Sequence, residues 1–106
     1  MTTEPGGPVP IACSLDAAGL GERADDWRAL VASAVTSVER DERAVRLALR
    51  DSDVALTTAV ALAQREKECC PFFDVSVLLE AGTRTLVLAV PRGAEDVVVS
   101  FLDLIA

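Results

Sequence analysis

Four stretches of the chain alternate apolar and polar positions at the two-residue period of a half-buried strand. In "VPIACSL", Val9, Ile11, Cys13 and Leu15 share one face. In "RAVRLALR", Val45, Leu47 and Leu49 turn inward while Arg46 and Arg50 turn out. "FDVSVLLE" and "RTLVLAV" are the third and fourth, and the "AGTR" between them reads as a hairpin turn. Between these stretches the period changes to that of a helix. Asp16 caps a helix expected to run to about Ser37, with Trp27, Leu30, Val31, Ala34 and Val38 as its apolar stripe. Glu22, Arg23, Asp25 and Arg28 are left for its wet side. "DSD" at 51–53 caps a second helix ending at Cys69, whose expected stripe is Leu56, Ala59, Val60 and Ala63. Pro91 and Gly93 break the chain before a last helix that packs through Val97, Phe101, Leu104 and Ile105.

The order β-α-β-α-β-β-α predicts an α+β two-layer sandwich, a mostly antiparallel four-stranded sheet with helices packed on one face. With 106 residues the chain suffices for one core. Residues 1–8 are expected to be a flexible tail and 9–106 a single domain.

Composition removes several kinds of chemistry. Ten basic against seventeen acidic residues give a net charge of −7 without a basic cluster, so direct nucleic-acid binding is not expected. The opening "MTTEPGGPVP" lacks the basic and apolar regions of a secretory signal, and "VALTTAVALA" is too short to cross a bilayer. A cytoplasmic chain with reduced thiols and no membrane partner is the expectation. There is no histidine, which excludes Ser-His-Asp and Cys-His catalysis and any histidine-bearing metal site. Carboxylates, arginines, a single lysine and three thiols remain.

Two of those thiols are adjacent, in "EKECCPFF". Side chains of consecutive helical residues point about 100° apart, which makes it hard for both to grip one atom. Pro71 changes the geometry, because the residue before a proline is pushed out of the helical region. Cys69 can therefore end the helix while Cys70 turns off its axis, and the two sulfurs can converge. A Cys69–Cys70 disulfide is disfavoured, since neighbouring Cα atoms stand about 3.8 Å apart, below the usual range. Nucleophilic use is disfavoured too: the negative end of a helix, with Glu66 and Glu68, raises a thiol pKa. A bound cation reverses that by deprotonating its thiol ligands. Glu66 lies one turn before the pair and extends the apolar stripe. It could accept thiol protons, act as a weak ligand, or pair with Arg23, Arg28 or Arg65. Cys13 would supply a third sulfur. Free cysteine is also a good core residue. The packing reading leads for Cys13 alone, and the site reading leads for the pair. Phe72, Phe73 and Trp27 read as core.

Taken together, Cys13 in "IACSL", the Glu66-x-x-Cys69-Cys70-Pro71-Phe72 element and "P-x-G-A" at Pro91–Ala94 give a wider pattern. It resembles the small domain found alone or behind the DNA-binding part of mercury-resistance (MerR) type regulators. The resemblance implies a ligand-sensing or heavy-metal-handling domain using Cys13, Cys69 and Cys70. Unlike the fused regulators, the sequence has no winged-helix segment or dimerising coiled coil.

The leading expectation is a domain that binds a soft ion of the Hg(II), As(III), Cu(I) or Zn(II) class in sensing or resistance. Cys13, Cys69, Cys70 and Glu66 are its candidate residues, and a regulator or a second copy its candidate macromolecular partner. Two alternatives stand beside it. One is an enzyme acting on organometal or thiol substrates with the cysteine pair and Glu66; the other is a metal-free interaction module with its cysteines in the core.

Overall fold

The computed structural model describes residues 17–69 and 72–105, with side-chain surroundings for 22–68 and 72–105. Its elements are α1 (Ala17–Ala34), β1 (Val35–Asp41), β2 (Ala44–Leu49), α2 (Asp53–Cys69), β3 (Asp74–Glu80), β4 (Thr83–Ala89) and α3 (Glu95–Ile105). The four strands form one antiparallel sheet in the order β1-β2-β4-β3, with the helices on one side. The α+β class, the antiparallel sheet and the one-sided helical layer are those expected from the sequence. The expected first strand at residues 9–15, and Asp16 as a cap, lie outside the described residues.

Strand alternation decides which side of the sheet is covered. Val45 and Leu47 of β2 stand opposite Leu88 and Leu86 of β4, and all four are buried beneath the helices. Their neighbours Arg46, Ala48, Thr85 and Val87 point to the open face and are half-buried. Above the sheet, Trp27 and Leu30 from α1 and Ala55, Ala59, Leu62 and Ala63 from α2 complete the core, with Val97, Val98, Phe101 and Ile105 from α3. Burying one such large side chain contributes about 1.5–3 kcal/mol. The alanines on α2 let its backbone sit close to the layer below. Among the described residues β3 is an outer strand and less covered: Val77, Leu78 and Leu79 are all exposed, Leu79 at 65%.

Local chemistry sets the element ends. Ser52 caps α2, its Oγ accepting from the backbone N–H of Ala55 at 3.3 Å. Ala81 and Gly82 join β3 to β4, and Gly82 sits at φ 82°, where a residue bearing Cβ would be strained.

Three expectations need correction. α1 stops at Ala34, three residues before Ser37, because Arg50 takes its last carbonyls. The Arg50 backbone N–H donates to Ala34 O at 2.7 Å and its Nε to Ser33 O at 2.9 Å. The chain then passes directly into β1, a strand the sequence reading assigned partly to the helix. Val38 consequently belongs to β1, 42% exposed, and has no part in a helical stripe. Finally, the buried side of α2 runs through Ala55, Ala59, Leu62, Ala63 and Glu66, leaving Val60 outside at 41% exposure.

Candidate functional site at the end of α2

The last turns of α2 carry a carboxylate into the core. Glu66 continues the Ala59–Ala63 stripe and is only 1% exposed, the one charged residue among the buried set described. A buried carboxylate must find donors. α1 supplies them from residues one turn apart, Arg23 and Trp27. The Trp27 indole N–H donates to Glu66 Oε2 at 3.1 Å, and Arg23 Nε forms an ion pair with the same oxygen. That pair is a charge contact without hydrogen-bond alignment. Arg23 Nε and Nη1 and Glu66 Oε1 have no hydrogen-bond partner among the described residues. Burial pushes the Glu66 carboxyl above its ordinary value. The Arg23 charge, the Trp27 N–H and the more distant Arg65 charge oppose that shift without reversing it. Arg65 makes its own link to α1, an exposed pair with Asp26 at 2.7 Å.

All four aromatic residues of the chain gather beside this pair. Trp27 meets Phe101 edge-on with ring centres 5.0 Å apart, Phe101 meets Phe73 at 6.3 Å, and Phe72 stacks on Phe73 at 5.4 Å. Phe73 is buried as expected of a core anchor, while Phe72 is only half-buried. A cavity of about 90 Å³ opens among Arg23, Glu66, Phe73, Val97, Ser100, Phe101 and Leu104. The helix end is tied to the following strand by Lys67, whose Nζ donates to Phe73 O at 3.3 Å.

Of the residues singled out in the sequence, Glu66 is buried against Arg23 and Trp27, the arginine pairing being one of its three anticipated roles. Cys69 is the last residue of α2, at the boundary anticipated from Pro71, and its side chain lies outside the described residues, as do Cys13 and Cys70 entirely. Two contributors were only partly read. Arg23 was named as a possible partner of Glu66 yet assigned to the wet side of α1, where its side chain is only 12% exposed, and Trp27 was read as core without its role as a donor to Glu66. Their four-residue spacing, an arginine and an indole stacked on one helix face, is the signal that could have found both.

Among the described residues, no three or more Cys, Asp or Glu side chains are grouped so as to hold a metal ion. Also among them, no helix is long and apolar enough to cross a membrane. No family model matches the chain, and no curated protein is significantly similar to it.

Proposed function

We propose that the chain binds a soft metal or metalloid ion through the thiolates of Cys69 and Cys70, with Cys13 as third ligand. The carrying observation is the placing of Glu66 and Phe73. These two residues flank the Cys69–Cys70–Pro71–Phe72 segment in the chain, and both line the cavity that holds Arg23. The chain leaves this buried, partly unpaired polar site at Glu66 and returns to it at Phe73, which supports a site at the residues between. From Glu66 to Cys69 is one helical turn, a rise of about 4.5 Å. Cys13 is four residues ahead of Ala17, the start of α1, so its Cα reaches at most about 14 Å from there. Arg23 stands six residues further along the same helix, a rise of about 9 Å, which is shorter than that reach.

Thiolates favour ions such as Hg(II), Cu(I) or trivalent arsenic, and three without a fourth protein ligand suit a trigonal site. Glu66 Oε2 is engaged by Trp27 and Arg23, while Oε1 is the atom left to accept thiol protons or touch the ion. The role that follows is a sensing or resistance accessory domain, as the likeness to MerR-associated domains implies. Binding should raise the melting temperature with Hg(II), Cu(I) or arsenite, and release protons with the cations Hg(II) and Cu(I). Replacing Cys69 and Cys70 by serine should abolish both responses, and an unaltered response would reject the assignment.

A further inference from the structure

The helices cover one side of the sheet, and among the described residues no helix or strand lies over the other. On that open face the strand registers set Asp41, Ala44, Ala89 and Asp74 in one row across β1, β2, β4 and β3. Glu39, Arg46 and Val87 fall in the next row, and Ala48, Thr85 and Leu78 in the one after. Acidic side chains stand on the outer strands, Glu39 and Asp41 on one and Asp74 and Glu80 on the other, and all are exposed. Apart from Arg46, the inner strands offer only alanine, threonine and valine to this face, and Arg46 already donates to Asp41 at 2.7 Å. A sheet face left to water carries polar side chains on its inner strands as well. Here a low apolar middle, with Leu78 exposed beside it, lies between two acidic margins. That is the layout of an interface with an apolar centre and a polar rim.

Width and charge select the occupant. Neighbouring strands are about 4.8 Å apart, so the acidic margins stand about 14 Å from each other. A helix with its side chains is about 10–12 Å across and fits between them. The small residues of β2 and β4 let it lie close, and a helix needs no backbone hydrogen bonds from a face that presents only side chains. We infer that the open face docks an amphipathic helix of a partner protein. Its apolar stripe lies over Ala48, Thr85, Val87 and Leu78, and lysines or arginines line both of its flanks. Those cations reach Glu39 on one margin and Asp74 and Glu80 on the other, their stems covering the apolar surface between. A second copy of this face would set carboxylates against carboxylates, and phosphate-bearing nucleic acid or anionic lipid meets the same repulsion. The contact is separate from the Glu66 cavity, which α1, α2 and α3 line on the covered side of the sheet.

The probe is a fluorescein-labelled peptide of about 18 residues, or about five helical turns, made of leucine and lysine at amphipathic spacing. Fluorescence anisotropy follows its titration with the full chain, and amide chemical shifts map where it sits. The shifts should concentrate on β2, β4 and Leu78, and the same peptide with glutamate for lysine should not bind. Melting of each variant is checked first. The Glu39→Lys, Asp74→Lys double variant loses two exposed ion pairs and gains repulsion, so it should weaken the lysine peptide about tenfold. Asp25→Lys with Asp103→Lys makes the same change in net charge on the exposed side of the helices, and should weaken it less than about twofold. Shifts confined to the helical layer, equal weakening by both double variants, equal binding of the glutamate peptide, or no binding of the lysine peptide would each overturn the inference. So would a parent chain that sediments as a dimer and becomes monomeric on Leu78→Lys, which gives the face to a second copy.

Discussion

The two ends of α2 each carry an arginine facing carboxylates, in very different surroundings. At the N-terminal end Arg84 reaches from β4 to Asp51 at 2.7 Å and to Asp53 at 3.8 Å. Those aspartates are 92% and 98% exposed, so water screens the attraction. At the C-terminal end Arg23 meets Glu66 with the two side chains 12% and 1% exposed. The same chemical pair is therefore a surface ornament at one end and a structural commitment at the other. Removing one member of a buried pair strands the other charge in a poor dielectric. The contrast shows where a fold tolerates change and where it has set aside a polar site within its core.

The largest effect should come from breaking the buried end. Glu66→Ala leaves Arg23 unpaired and should lower unfolding stability by about 3–5 kcal/mol in a urea titration. A loss no larger than that of a surface variant would erase the distinction between the two ends. Trp27→Phe keeps an aromatic ring beside Phe101 but deletes the donor to Glu66, and should cost about 1–3 kcal/mol in the same titration.

The pH profile sharpens the comparison further. Glu66 titrates above its ordinary value of 4.5 in the folded chain, so the fold binds more protons than the unfolded state above that pH. Its contribution to stability is therefore fully present below pH 4.5 and declines as pH rises through the folded-state value. Melting temperatures followed upward from pH 4.5 should show this decline in the ion-free parent and not in Glu66→Gln; matching profiles would remove the burial argument. The smallest effect belongs to the other end, where Arg84→Gln should change stability by less than about 1 kcal/mol.

Much of the frame was legible along the chain because local rules agreed with the tertiary outcome. β2 alternates cleanly, α2 begins at a serine cap and ends at Cys69 ahead of Pro71, and the β3–β4 turn falls within "AGTR". β1 was illegible for a specific reason. Val38 follows Ala34 at helical spacing with no glycine or proline between, while the stop comes from Arg50, sixteen residues further on. The β-branched Val35, Thr36 and Val38 were the contrary signal. The face of α2 was misjudged by including Val60, while the buried side runs through Ala55, Ala59, Leu62 and Ala63. At the site, the need of Glu66 for a partner was readable. The choice of Arg23 over Arg28 or Arg65 depends on how α1 lies against α2, which no local pattern encodes.

β3, outermost among the described strands, has a consequence for how copies of the molecule meet. Its exposed Val77, Leu78 and Leu79 form the kind of adhesive edge that invites a neighbour to extend the sheet. Acidic residues close both of its ends, Asp74 and Glu80, each three positions from Val77. Two chains zipped head to tail about Val77 would thus set Asp74 of each against Glu80 of the other, and the mutual repulsion works against that mode of polymerisation.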